Sequence, residues 1–71
     1  MKWAGGAPKA CDTCDTPIDK VFYDARTSIG GAWGHLCTSC FTFGPGLGKL
    51  GPGFGQKFEK QADGSFEKTG G

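Results

Sequence analysis

Residues 11–17 read CDTCDTP and residues 37–41 read CTSCF, and these two stretches contain all four cysteines of the 71-residue chain. In each stretch two residues separate the cysteines, which is the spacing at which one turn brings two sulfurs to the same metal ion. The pattern predicts one structural Zn²⁺ held by Cys11, Cys14, Cys37 and Cys40. Four thiolates would fill the coordination sphere, whereas a catalytic zinc keeps one position open for water.

Three other uses of the cysteines stay open: iron in a rubredoxin-like site, redox-active C-x-x-C chemistry, and disulfides. A redox C-x-x-C usually opens a helix in a thioredoxin-like βαβ unit, which 71 residues are too few to build. The first residues, MKWAGGAPKAC, contain no apolar signal segment, and no stretch approaches the ~18–20 apolar residues of a membrane helix. We therefore expect a cytoplasmic protein, and disulfides rarely persist in that compartment.

The chain is short and poor in core-forming residues. Hydrophobic residues make up 37% of it and 14 residues are glycine, the residue that loses most backbone freedom on folding. A core of this size seldom supplies more than about 3–5 kcal/mol, and natural domains this small add a disulfide or a metal. We therefore expect a single domain in which metal binding and folding are coupled.

Positive and negative charges are balanced along the chain. Eight Lys and Arg stand against seven Asp and Glu, for a formal net charge of +1. Residues 1–40 carry four charges of each sign, and residues 41–71 carry four positive and three negative ones. Non-specific binding to duplex DNA depends on many phosphate contacts. The lack of a basic stripe therefore gives that function little support.

Two strands are predicted between the cysteine pairs. KVFYDA at residues 20–25 is rich in β-branched and aromatic residues, and alternation places Phe22 and Tyr23 on opposite faces. AWGHL at residues 32–36 is the predicted return strand, so the hairpin delivers Cys37 beside the first cysteine pair.

The two cysteine pairs are predicted to lie in different kinds of turn. In the first, the residue after the second cysteine often has a positive φ, and Asp15 is one of the few non-glycine residues that tolerate it. After the second pair we expect a helix of one to two turns, because Gly44-Pro45-Gly46 would end it.

A glycine-rich loop and a second hairpin complete the predicted domain. The loop contains the near-repeat GPGLGKL and GPGFGQK, and in the following segment Asp63-Gly64 is a strong hairpin turn signal. Phe58 and Phe66 are expected to face inward and to pack on the zinc half. The predicted organisation is a flexible N-terminal arm at residues 1–10 and one zinc-binding domain at residues 11–69, divided into a zinc core (11–43), a glycine-rich loop (44–54) and a C-terminal hairpin (55–69).

The order of cysteine turn, hairpin and second cysteine pair at a helix start resembles the treble-clef zinc finger; the paired C-x2-C motifs also resemble a zinc ribbon. LCTSCFTFG at residues 36–44 suits a helical turn better than a β-turn, which favours the treble clef. The whole chain also resembles small uncharacterised zinc-finger proteins of tailed bacteriophages, through FYDART, WGHLCTSCF, GLGKLGPGFGQKF and KQADGSFEK. This resemblance implies a small metal-stabilised α+β fold and the host cytoplasm, but it implies no particular activity.

We expect a non-enzymatic interaction module that binds a protein, because near-neutral charge and surface aromatic residues suit protein partners. The residues expected to contact the partner are Trp3, Trp33, Phe54, Lys57 and Lys60.

Binding of single-stranded nucleic acid is the alternative, since aromatic residues interleaved with lysines can stack bases. Its candidate residues are Phe54, Lys57, Phe58, Lys60, Phe66 and Lys68. An enzyme is disfavoured, because no Ser/His/Asp arrangement or paired carboxylates at useful spacing stand out. His35, the only histidine, lies two residues before Cys37. It is therefore either an ordinary strand residue, a replacement ligand, or a hydrogen-bond partner of a sulfur.

Overall fold

In the computed structural model, which describes residues 2–3 and 5–71, one antiparallel sheet of four strands carries one short helix. The elements are β1 (Val21–Arg26), β2 (Trp33–Leu36), α1 (Thr38–Thr42), β3 (Gly55–Lys60) and β4 (Phe66–Gly70). The small α+β fold, both hairpins and the short helix are thereby confirmed. No helix in the described ranges is long and apolar enough to span a membrane.

The first hairpin pairs β1 with β2, with Tyr23 opposite Leu36 and Arg26 opposite Trp33. Its turn is closed by Thr27, which is buried. The backbone N–H and the side-chain hydroxyl of Thr27 both donate to the carbonyl of Ala32, at 2.9 and 2.8 Å. Because a buried hydroxyl must be paired to avoid a desolvation penalty, this residue fixes where the hairpin turns.

The second hairpin joins the first through direct strand pairing. The sheet order is β2-β1-β3-β4, and β3 pairs antiparallel with β1 so that Phe58 lies opposite Phe22. The sequence predicts only that Phe58 and Phe66 pack on the zinc half. The pairing of β1 with β3 was missed because it connects segments far apart in the chain, for which no local turn signal exists.

Each face of the sheet has its own core. On one face Tyr23, Ala25 and Leu36 form a buried cluster with Phe41 of α1 and with Cys11. The opposite face holds a cluster of three phenylalanines, Phe22, Phe58 and Phe66. The C-terminal hairpin therefore packs on β1 through Phe58 and Phe66 as expected, but on the face away from the helix.

The N-terminal segment covers the phenylalanine face. The backbone N–H of Trp3 donates to the carbonyl of Phe66 at 2.9 Å, and its ring meets Phe22 and Phe58 edge-on at 5.2 and 5.3 Å. Ala7 packs on the same cluster, so the segment contacts this face through more than one residue. The flexibility that we expect for residues 1–10 stays a prediction.

The two copies of the glycine-proline-glycine repeat adopt different structures. Gly46 lies against the end of α1, where a Cβ would come within 2.6 Å of the Cα of Phe41. In the second copy, the N–H of Phe54 donates to the carbonyl of Gly51 at 3.0 Å, and Gly53 has a φ of 81°. Pro52 followed by a glycine of positive φ is the pattern of a type II turn. The repeat is therefore one of sequence and not of structure.

Candidate metal centre

The first cysteine pair lies in a compact turn before β1. The N–H of Asp15 donates to the carbonyl of Cys11 at 2.9 Å, and Ala10 bridges to Pro17 across the base of the turn. Asp15 has a φ of 62° and is the only non-glycine residue of positive φ in the described ranges. The expectation for this position is confirmed.

Asp12 attaches this turn to the outer edge of β2. Its N–H donates to the carbonyl of His35 at 2.9 Å, and its carboxylate Oδ2 accepts from the N–H of His35 at 2.8 Å. Strand β2 leads directly to Cys37, so this pair of hydrogen bonds holds the two cysteine segments side by side. It also satisfies edge groups of the strand that would otherwise be unpaired.

The second cysteine pair lies at the start of α1. Cys37 is the N-cap residue, and its Sγ accepts from the N–H of Cys40 at 3.5 Å. The helix is anchored by Phe41, whose ring stacks on Tyr23 of β1 at 4.0 Å and an interplanar angle of 4°. Packing of Phe41 therefore sets the position of the turn that carries both sulfurs.

The four sulfur atoms converge, with all four within 4.8 Å of one another. The Sγ atoms of Cys14 and Cys37 are 3.7 Å apart. A tetrahedral ion with metal–sulfur bonds of about 2.3 Å separates its ligands by about 3.8 Å, and a disulfide needs about 2.05 Å. The arrangement fits a bound ion, and the cysteines are free thiols.

Two threonine hydroxyls contact the sulfurs of the first pair. Thr13 Oγ1 lies 3.3 Å from Cys11 Sγ, and Thr16 Oγ1 lies 3.0 Å from Cys14 Sγ. Burial acts to raise the pKa of Cys11, but the hydroxyl of Thr13 and nearby backbone N–H groups lower it to about 6. The hydroxyl and N–H of Thr16 lower the pKa of Cys14. These donors favour the thiolate form, which is the form that binds metals.

Cys40 has the opposite environment. The hydroxyl of Thr13 acts to lower its pKa, but the sulfur of Cys14, burial and the sulfurs of Cys11 and Cys37 raise it to about 12. The cause is crowding, because a fourth thiolate would face three others at short range. A cation between them removes that repulsion and deprotonates a coordinating thiol.

His35 lies away from the sulfurs. Its ring meets the rings of Trp3 and Phe22 edge-on at 4.9 and 5.8 Å, on the phenylalanine face. In residues 2–3 and 5–71, the four cysteines form the only group of potential ligands that is close enough to hold an ion. The position of His35 is therefore that of a strand residue packed in an aromatic cluster.

The residues expected to contact a partner do not share one surface. Trp33 is half exposed, at 50%, and lies opposite Arg26 at one end of the sheet. Lys57 lies opposite Tyr23, on the helix face, and its Nζ is 3.8 Å from Glu59. Lys60 lies on the other face, opposite Phe66, and the ring of Trp3 packs on that face. A single interface containing all of the expected residues is therefore not formed.

Two of the aromatic residues expected to stack on bases of a single-stranded nucleic acid are buried. Phe58 and Phe66 are buried, with 1% and 7% of their surface exposed. As placed, they cannot stack on bases. Phe54 stays exposed at 41%, with the Nζ of Lys49 above its ring at 5.6 Å.

Sequence reasoning missed the roles of Thr13, Thr16 and Asp12. A signal for the two threonines exists in the sequence, because residues 11–16 repeat CDT twice and each threonine follows its cysteine by two residues. Asp12 and Asp15 occupy equivalent positions in the repeat, yet one binds β2 and the other adopts the positive φ. No local pattern distinguishes them, since Asp12 is selected by a contact with a distant strand.

No family model matches the sequence, and neither the curated proteins nor the solved structures include one with significant similarity to it. The metal centre therefore rests on the chemistry and geometry of its own residues, which make the chain a small α+β protein with a four-cysteine cluster able to bind a metal ion.

Proposed function

We propose that this chain is a non-enzymatic interaction module whose fold is held by one structural Zn²⁺ on Cys11, Cys14, Cys37 and Cys40, and that it binds a protein partner. The observation that carries the proposal is the convergence of four free sulfurs, with those of Cys14 and Cys37 at about the edge length of a tetrahedral site. Four sulfur donors in tetrahedral geometry select zinc or iron. Zinc is the commoner occupant of closed sites in small domains.

The order of the turn, strands and helix around the cysteines supports a treble-clef site. A cysteine turn precedes the β1–β2 hairpin, and the second cysteine pair caps and enters α1. In a zinc ribbon both pairs would lie on hairpin turns. Because Cys40 lies in a helix, the treble clef is favoured over the zinc ribbon.

The four cysteine ligands favour a structural role for the metal over a catalytic one. Four protein sulfurs leave no coordination position for water or substrate. A bound ion would supply folding free energy by joining residues 11–14 to residues 37–40, segments that otherwise meet through Asp12 and His35. Binding of a protein partner is the function most consistent with a nearly neutral domain that exposes aromatic residues.

The experiment is elemental analysis combined with native mass spectrometry on gently purified protein. We expect one zinc per chain and a colourless sample, and we expect Cys40→Ser to lose the metal. The exposed neighbour Ser39 provides the matched control, because Ser39→Ala should keep full stoichiometry. A red sample containing iron, or a protein that folds without a transition metal, would contradict the proposal.

An origin in tailed bacteriophages, and with it a host protein as the partner, remains part of the proposal. It is supported only by the sequence motifs described above. Affinity capture from bacterial lysate with and without nuclease would separate a protein partner from single-stranded nucleic acid, since capture of the latter disappears after nuclease treatment.

A further inference from the structure

All large apolar side chains that are exposed in the described ranges fall between residues 29 and 54. They are between 38% and 87% exposed. We call them the apolar loop surface, which comprises Ile29, Trp33, Phe43, Leu47, Leu50 and Phe54. Single exposed apolar residues are common, but several on adjoining loops are typical of an interaction site.

Three loops carry five of these residues and contact one another at the end of β1, and Trp33 begins β2 beside the first loop. The N–H of Ser28 in the β1–β2 turn donates to the carbonyl of Pro45 at 2.8 Å. Thr27 bridges to Gly46 in the loop that follows α1. The N–H of Arg26 donates to the carbonyl of Phe54 at 3.0 Å. These bonds bring the turn after β1, the loop after α1 and the turn before β3 to the same end of the sheet.

The loops are held in place by their backbones. Gly46 packs on α1 and its N–H donates to the carbonyl of Cys40 at 2.9 Å. Gly51 and Gly55 exchange backbone hydrogen bonds at 2.9 and 3.1 Å across the second turn. A surface fixed in this way loses little conformational entropy when a partner binds.

The segment that carries this surface has charged side chains of one sign. Residues 25–58 contain no Asp or Glu, and they contain Arg26, Lys49 and Lys57. Lys57 pairs with Glu59. Within the described ranges, neither Arg26 nor Lys49 forms an ion pair. The surface thus presents apolar groups together with two cations that lack a carboxylate partner there.

We propose that the apolar loop surface binds an acidic protein segment in which carboxylates are interspersed with apolar side chains. This inference rests on the proposed function and specifies the chemistry of its partner. Charge complementarity selects an anionic partner, and the excess of apolar side chains over cations selects a protein. Nucleic acids and anionic membranes are bound mainly through clusters of many basic residues.

A second copy of this chain is a poor occupant. Its exposed carboxylates include Asp12, Asp15 and Asp19, whereas its large exposed apolar side chains all belong to the apolar loop surface itself. No other part of the described surface therefore combines carboxylates with large exposed apolar side chains.

The test is an NMR titration of the zinc-loaded protein with a short synthetic peptide in which Glu and Asp alternate with Leu and Phe. We expect amide shifts confined to the three loops and the adjoining ends of β1 and β2, saturating below about 1 mM peptide. A peptide with Lys in place of the acidic residues and one with Ser in place of the apolar residues should both bind at least about tenfold more weakly.

Three variants locate the binding. Phe43→Ser and Arg26→Glu should each weaken binding of the acidic peptide about tenfold. Phe43 is 87% exposed, so its replacement leaves the fold intact. Lys60→Glu, at the far end of β3, should have no effect.

Shifts that are absent at about 1 mM peptide, or that lie away from the three loops and the adjoining ends of β1 and β2, would overturn the inference. So would equal binding of the basic peptide, self-association through these loops, or stronger binding of phosphatidylglycerol vesicles or a single-stranded oligonucleotide. Zinc analysis of the same sample distinguishes the two proposals. If the protein contains one zinc per chain but does not bind the peptide, only this inference is overturned and the zinc site stands.

Discussion

The hydroxyls of Thr13 and Thr16 contact the sulfurs of Cys11 and Cys14, the two cysteines of the first pair. Each lies within 3.3 Å of a sulfur, and each can donate a hydrogen bond to a thiolate. Hydrogen bonds of this kind spread the negative charge of four sulfurs over the surrounding protein. The first cysteine turn thus favours the thiolate form of its cysteines.

We therefore predict that Thr13→Val and Thr16→Val each lower zinc affinity by about tenfold. The change removes a donor while it preserves side-chain shape. Competition with a chromophoric chelator measures the affinity, and Thr42→Val, on the exposed side of α1, is the matched control. Unchanged zinc affinity in both the Thr13→Val and the Thr16→Val variant would show that these hydroxyls do not contribute to metal binding.

The left-handed conformation of Asp15 leads to a second prediction. At a φ of 62° glycine is unstrained, whereas a β-branched residue is strained by about 1–2 kcal/mol. We expect Asp15→Gly to bind zinc as tightly as the parent and Asp15→Val to melt at a lower temperature. Thermal unfolding of the zinc-loaded proteins checks both, and a Val variant as stable as the Gly variant would contradict this geometry.

Among the secondary-structure elements, α1 depends most on its surroundings, because five residues are too few for a helix to be stable alone. Three contacts hold it: the cap at Cys37, the stacking of Phe41 on Tyr23, and the close approach of Gly46 to its C-terminal end. Loss of any one should disturb the position of Cys40.

Gly46→Ala tests the last of these contacts. Its Cβ would lie 2.6 Å from the Cα of Phe41 and 2.9 Å from the carbonyl oxygen of Cys40, and both are backbone atoms that cannot rotate away. We predict a loss of about 1–3 kcal/mol in the free energy of unfolding, measured by denaturant titration. Gly6→Ala, with no atom within 4 Å of its Cβ, should change stability by less than about 0.5 kcal/mol.

The local elements could be predicted from sequence because each has a local cause. β-Branched and aromatic residues define β1, Asp63-Gly64 defines the β3–β4 turn, and glycine and proline end α1. The pairing of β1 with β3 has no such local cause, since it depends on Phe22 and Phe58 stacking at 5.1 Å across a long loop. The cysteine spacing likewise predicted that the four cysteines cluster, whereas the hydrogen bonds of Asp12 to β2 depend on the tertiary structure.

The molecule as a whole is a single sheet with a different core on each face. The helix face contains the cysteines and Phe41, and the other face contains stacked phenylalanines covered by Trp3. A bound ion acts directly on the first core only. The two cores nevertheless share β1, so the loss of either one should affect the whole domain.

Phe22→Ala tests the phenylalanine core. This side chain is fully buried, and its removal should cost about 3–5 kcal/mol. In a domain of this size that loss should unfold most of the protein at room temperature. Circular dichroism with zinc present measures it. Phe43→Ala, at a position that is 87% exposed, should match the parent, and a folded Phe22→Ala variant would show that the metal core suffices.

The most direct test of the account is an amide ¹H–¹⁵N correlation spectrum recorded before and after removal of the metal by an excess of chelator, with removal verified by elemental analysis. If the ion joins the two cysteine segments, the dispersed resonances of β1, β2 and α1 should collapse to the narrow range of an unfolded chain. They should return when one equivalent of zinc is added. A spectrum that keeps its full dispersion in verified metal-free protein would contradict the account.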